Sequence, residues 1–155
     1  MSTAIYLFDW GNTLMIDFPN YDGKMRDWPK VAMVDGAEDL LRRLSRHSQC
    51  YVATAAADSS EADIKAAFTR VGLDCYIIGY FCQANTGQKK GSPEFLATIL
   101  LALNATPSQV SVVGDSLEKD IRPALAAGIR ATWLTQETPT SQDSRIKIIR
   151  SLQQF

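Results

Sequence analysis

Ala4-Ile5-Tyr6-Leu7-Phe8 is a nearly unbroken apolar run that stops at Asp9, with the turn residues Gly11-Asn12 close behind it. A short run of this kind suits a strand buried on both faces, because a half-exposed strand would alternate apolar and polar residues. Burial on both faces calls for helices above and below, the layout of a parallel sheet. The stretches downstream agree: Cys50-Tyr51-Val52-Ala53-Thr54, Cys75-Tyr76-Ile77-Ile78, Val110-Ser111-Val112-Val113 and Ile129 to Leu134 read as further strands.

Helices with recognisable ends lie between them. Gly36 opens one in which Ala37, Leu40, Leu41 and Leu44 form an apolar stripe and Arg42, Arg43 and Arg46 face water. Ser60 and Asp63 have capping-box spacing ahead of a helix that runs to Arg70 and stops at Gly72. Ser92-Pro93 joins an N-cap to proline at the first helical position, and Leu117 to Ala127 is closed by Gly128. The expected fold is α/β: a doubly wound, three-layer Rossmann-like parallel sheet of about five strands, with helices on both faces and right-handed crossovers.

A length of 155 residues predicts one domain, 1–155, large enough for a proper core. Residues 15–34, with Pro19, Gly23 and Pro29 among Asp17, Asn20, Asp22 and Asp27, read as a short irregular flap. A last amphipathic helix is expected over about 143–153. The chain carries 46% hydrophobic and 21% charged residues, which excludes disordered and fibrous classes. A net charge of -1 provides no field for nucleic acid or an anionic membrane. The stretch beginning at Met1 lacks the basic start and apolar core of a signal peptide, and apolar runs such as Phe95 to Leu103 are too short to span a bilayer, so the cytoplasm is the expected location.

The three cysteines, Cys50, Cys75 and Cys82, lack the paired spacing of zinc or redox motifs and read as reduced core thiols. His47 is the only histidine and sits in a polar helix-end context, which leaves little room for a histidine-based triad or metal cluster. In a parallel sheet ligands bind at the carboxyl ends of the strands, so Asp9, Thr54 and Asp115 meet at one edge. Lys90 joins them from a loop, and Asp120 lies one helical turn beyond Asp115. Carboxylates, a hydroxyl and a lysine together make a site for a hard divalent cation and a phosphate.

The order and spelling of these residues resemble the haloacid dehalogenase superfamily. Its first motif, a strand ending in Asp-x-Asp-x-Thr, is matched by Asp9-Trp10-Gly11-Asn12-Thr13 with one departure, at Gly11. Val52-Ala53-Thr54 corresponds to the second motif and Lys90-Gly91-Ser92-Pro93 to the third. Val112-Val113-Gly114-Asp115-Ser116, leading to Asp120 and then to Ala126-Ala127-Gly128-Ile129, corresponds to the fourth and most specific. The resemblance covers Ile5 to about Leu134 and implies a hydrolase of phosphatase type. Asp9 would be the nucleophile, and Mg2+ would be held by Asp9, Asp115 and the backbone carbonyl of Gly11. Thr54 and backbone N–H groups at Ala55 would bind the phosphoryl oxygens. Lys90 would neutralise charge, and Asp120 would hold Lys90 or a metal-bound water.

Phosphatases of the superfamily carry a second Asp where this chain has Gly11, and that residue protonates the leaving alcohol. General acid catalysis is typically worth ~10²–10⁴-fold, so weakened turnover of ordinary phosphomonoesters is expected unless another group substitutes. Asp17 and Asp58 are the candidates. The alternative is a catalytically degenerate member that binds Mg2+, phosphate or a partner without turnover; dehalogenase-like and phosphonatase-like chemistries rank lower, since both need a cap. The intervals Leu14 to Asp35 and Asp58 to Lys89 leave no room for a large cap domain. The resemblance therefore implies a nearly capless member with an open site, taking a bulky phosphorylated substrate or covered by a second protomer in a homodimer.

Overall fold

The strand β1, Ala4–Phe8, pairs in parallel with a strand on either side, which places it in the interior of the sheet. The computed structural model describes residues 3–139 and 143–155; the first two residues of the N-terminal stretch read for a targeting signal lie outside them. The other strands are β2 Ser48–Ala53, β3 Gly79–Phe81, β4 Val110–Gly114, β5 Arg130–Leu134 and β6 Ile146–Ile149. Their order is β3-β2-β1-β4-β5-β6, and every pairing is parallel. The chain leaves β1 to one side and returns to its other side at β4, so the crevice between their carboxyl ends is the switch point where such sheets bind ligands.

The apolar run in β1 is continuous because it feeds two cores. Phe8 packs into a layer with Leu40, Leu41, Ile64 and Phe68, from α1 Ala37–Ser45 and α2 Glu61–Arg70. Ile5 and Leu7 point the other way, towards Phe95, Ile99 and Ala124. Those three come from α4 Pro93–Leu103 and α5 Arg122–Ala126, a short α3 at Gln83–Thr86 preceding them. The period of two along a strand sends successive side chains to opposite faces, so each face of the central strand needs its own apolar layer. The Ser60–Asp63 capping box forms as expected, with the Asp63 N–H on Ser60 Oγ at 3.2 Å and the Ser60 N–H on Asp63 Oδ2 at 3.0 Å.

Two expectations are corrected. The third strand is Gly79–Phe81 and not Cys75–Ile78; Asp74–Tyr76 forms a 3₁₀ turn, closed by Tyr76 N–H to Leu73 O and Ile77 N–H to Asp74 O. Pairing with β2 begins only at Gly79, opposite Tyr51. Ile78 is accordingly 59% exposed, and Cys75 is exposed where Cys50 and Cys82 are buried.

The expected helix over about 143–153 is instead β6, followed by a 3₁₀ turn at Leu152–Gln154. Ile146-Lys147-Ile148-Ile149 is β-branched at three of its positions, a composition stiff at χ1 and suited to a pleated surface. The free edge of β5 supplies backbone partners for it, from Ala131 opposite Ile146 to Leu134 opposite Ile149. The sheet thus has six strands rather than about five.

Between β1 and α1 the chain forms an ordered loop with a 3₁₀ turn at Met25–Asp27. Lys24 Nζ and Arg26 NH1 reach Asp63 at 2.8 and 3.0 Å, and Arg70 NH1 donates to Trp28 O at 2.6 Å. These contacts fasten the loop to α2 beside the carboxyl edge of the sheet. Among the described residues no helix is long and apolar enough to cross a membrane.

Candidate active site

Strand ends set the positions of the polar groups. Asp9 follows β1, Thr54 follows β2, and Asp115 follows β4, so parallel pairing alone brings the three to one edge. Lys90 enters from the loop before α4, and Asp120 from a π-helical turn at Leu117–Ile121. Single π turns are rare and recur at functional sites. Carboxylate oxygens of Asp9, Asp115 and Asp120 all lie within 4.8 Å of one another.

Lys90 Nζ is the hub of the network. It lies 2.8 Å from Asp9 Oδ1, 2.5 Å from Asp120 Oδ1 and 2.7 Å from Ala53 O, and its side chain is only 6% exposed. Lys89, the neighbouring candidate, is exposed. The second oxygen of Asp120 accepts the Ser116 N–H at 3.0 Å.

These contacts set the protonation states. Burial works against the ionised form of Asp9, but the adjacent Lys90 charge, with hydrogen bonds, holds its pKa below the usual carboxylate value. Burial also opposes the charge on Lys90, yet Asp9 and Asp120 together outweigh it and push its pKa up. Asp115 differs: burial first, then its proximity to Asp9 and Asp120, pushes it up to about 7. Asp120 is likewise raised, by burial, with Lys90 opposing and Asp9 adding to the shift. Three carboxylates against one ammonium leave a surplus of negative charge. All-oxygen donors with that surplus fit a hard divalent cation such as Mg2+, with Asp9 and Asp115 facing the open side.

Thr54 is buried, its N–H on Phe81 O at 3.0 Å and its Oγ1 accepting the Ala56 N–H at 3.1 Å, and Ala55 lies exposed beside it. Both border a cavity of about 430 Å³ that also reaches Asp9, Gly11, Lys90 and Asp115. The structure therefore brings every residue singled out for the site to one place. Trp10 borders the same cavity but is 5% exposed, stacks on Phe68 with ring centroids 6.2 Å apart, and donates from Nε1 to Met15 Sδ at 3.3 Å. It is a core residue that meets the site with one edge. His47 is exposed and precedes β2.

Three residues to which the sequence assigns no role support the site. Thr13 is fully buried, its Oγ1 3.4 Å from Asp9 Oδ2 and 3.5 Å from Asp115 Oδ1, so one hydroxyl spans both carboxylates. Trp133 Nε1 donates to Asp115 O at 3.1 Å from β5. A Cβ on Gly114 would fall 2.2 Å from Asp120 Oδ2, so glycine there makes the space that Asp120 occupies. Thr13 and Gly114 stand inside the motifs and were findable; nothing local marks Trp133.

Comparison with known proteins bears on the family and the fold. A family model described as haloacid dehalogenase-like hydrolase matches residues 11–128, well over half of the chain. A phosphoserine phosphatase from Thermus thermophilus is 35% identical over 71 residues, which covers 43% of this chain and 28% of that protein. The chain thus spans under a third of the length of that relative. Among solved structures, an uncharacterized protein from Listeria monocytogenes superposes with a TM-score of 0.83 at 23% identity, over 97% of this chain and 93% of the other. A Bacillus subtilis protein of the HAD-hydrolase type, solved bound to magnesium, gives 0.76 at 15% identity, over 99% and 97%. A 2-haloacid dehalogenase from Pseudomonas syringae gives 0.77 at 15% identity, over 99% and 96%. At these identities the structural matches speak for the fold.

Proposed function

This chain belongs to the haloacid dehalogenase-like hydrolase family, and from that premise we propose that it is a nearly capless, Mg2+-dependent phosphohydrolase with Asp9 as its nucleophile. The observation that carries the reading is the placement of Lys90 between Asp9 and Asp120, with Asp115 alongside. An unprotonated carboxylate held by a buried ammonium is ready to attack phosphorus, and it is one of the groups that form covalent intermediates.

In this reading Asp9 and Asp115 hold the cation, which when bound offsets the repulsion between the carboxylates and an incoming phosphate. Asp9 attacks phosphorus and forms an aspartyl phosphate. The Thr54 hydroxyl and the backbone N–H at Ala55 receive the phosphoryl oxygens, and Lys90 balances charge on nucleophile and phosphate. Asp120, held by Ser116 N–H, keeps the Lys90 ammonium in place. The partial match to a phosphoserine phosphatase supports a phosphomonoester substrate. The cavity of about 430 Å³, bounded by the loop between β1 and α1, suits a small phosphorylated metabolite more than a protein surface.

The test is hydrolysis of para-nitrophenyl phosphate, O-phospho-L-serine and acetyl phosphate, with Mg2+ and with EDTA, using Asp9→Asn as the control. Metal-dependent release that disappears in Asp9→Asn, together with loss of trapping by beryllium fluoride, is the expected result. Mg2+ binding with no release from any of the three would point to a catalytically degenerate binder.

A further inference from the structure

Cleavage of a phosphate ester at neutral pH needs a proton for the departing oxygen, and the inference here rests on the phosphohydrolase reading above. The carboxylates around the cavity divide clearly. Asp9 and Asp120 are held by Lys90, and Asp115 lies against both. Asp58 accepts a hydrogen bond from Ser59 Oγ at 3.1 Å. Asp17 lines the same cavity as Asp9, Gly11 and Asp115, and among the described residues its carboxylate makes no hydrogen bond or ion pair.

Its location is set by the backbone. The chain folds back after Trp10, Asn12 N–H donating to Met15 O at 2.6 Å and Met15 N–H to Trp10 O at 3.1 Å. Asn12 takes a left-handed conformation, φ 60°, and its Oδ1 accepts the Asp17 N–H at 2.9 Å. The result sets Asp17 against the bare side of Gly11. A Cβ on Gly11 would stand 3.3 Å from Asp17 Cβ and 3.5 Å from Asp17 Oδ2. The absent side chain, two residues beyond the nucleophile, is replaced in space by a carboxylate six residues further along the chain.

We propose that Asp17 is a catalytic residue, the carboxyl group that supplies the leaving-group proton. As Asp9 attacks, the bond between phosphorus and the alcohol oxygen breaks with its electron pair on that oxygen. With Asp17 in its protonated form, that proton passes to the departing oxygen, giving a neutral alcohol and an Asp17 carboxylate. That carboxylate then takes a proton from the water that attacks the phosphorus of the aspartyl phosphate. The bond from phosphorus to Asp9 breaks, phosphate leaves, and both groups return to their starting state.

The experiment compares Asp17→Asn with the unaltered chain on O-phospho-L-serine, whose alkoxide is a poor leaving group, and on acetyl phosphate, whose acetate needs no proton. Asp17 is exposed, so exchanging an oxygen for an amide leaves the core untouched. Turnover of phosphoserine should fall about 10²-fold or more, and that of acetyl phosphate at least about 10-fold less. An equal loss on both substrates, or no loss, overturns the assignment. Acetyl phosphate turnover by the unaltered chain without any phosphoserine turnover also overturns it, while leaving the hydrolase reading intact. No turnover of either by the unaltered chain overturns the hydrolase reading and this assignment together.

Discussion

The carboxylate of Asp120 occupies the space that a side chain on residue 114 would fill: a Cβ on Gly114 would lie 2.2 Å from Asp120 Oδ2 and 2.3 Å from its Cγ. Gly114 ends β4 and Asp120 sits in the π-helical turn that follows, so the bare strand end admits the acid that anchors Lys90.

Gly114→Ala therefore expels Asp120. Overpacking a site of this kind typically costs about 1–3 kcal/mol. Urea denaturation should register that loss, and phosphatase turnover should fall to background because Lys90 loses its anchor. An active variant of unchanged stability would contradict the packing account.

Lys90→Met removes the cation from a cluster of three carboxylates. Breaking a buried ion network by deleting one partner typically costs about 3–5 kcal/mol. The loss should be largest in EDTA and smaller in millimolar Mg2+, since a bound cation takes over part of the neutralisation. Denaturation curves with and without metal measure the difference.

Asp115 stands at about 7 in the folded chain against 3.8 for an ordinary aspartate. Between those values the folded state binds more protons than the unfolded one, so metal-free stability should fall as pH rises from about 4 to about 7. Asp9, whose pKa is lowered, works in the opposite sense and only in the acid range near and below 3.8. Mg2+ competes with the Asp115 proton, so its affinity should rise across the same interval. Tm against pH, in EDTA and in Mg2+, checks both slopes.

Lys24 and Arg26 hold the loop between β1 and α1 to Asp63. Replacing both with Met should speed proteolysis within residues 18–33 and raise KM more than it lowers kcat, because Gly23, Met25 and Trp28 of that span wall the cavity while Asp9 and Asp17 lie outside it. Mapping the first cleavage site and measuring the two constants tests this.

Gly11 is not among the glycines of positive φ, so a side chain there is opposed by Asp17 and not by the backbone. Gly11→Asp in the Asp17→Asn background should restore part of the phosphoserine turnover lost in the single variant. Gly11→Asp alone should bring little gain, since two carboxyl groups then compete for one space. The four-variant comparison reads the rescue directly.

Legibility in the sequence followed the range of the forces involved. The strand ends carrying Asp9, Thr54 and Asp115 could be read because an unbroken apolar run followed by a polar residue is a local signature of a parallel strand. Lys90 could be read through its position before Ser92-Pro93. The third strand starts later than its sequence suggests, since Cys75-Tyr76-Ile77-Ile78 is apolar enough for either state and only the pairing of Gly79 with Tyr51 sets the start. The last strand is not legible locally, because its partner, the edge of β5, lies a dozen residues away in sequence.

The order of apolar runs and caps determined an α/β parallel sheet, and with it the edge where Asp9, Thr54 and Asp115 converge, because alternation and capping act within a few residues. The tertiary structure decided what stands around them: Thr13 across Asp9 and Asp115, Trp133 on the Asp115 carbonyl, Asp120 in the space left by Gly114, and Asp17 against Gly11. Each of these depends on how closely two backbones approach, a distance that close packing of the whole core fixes and no local pattern encodes.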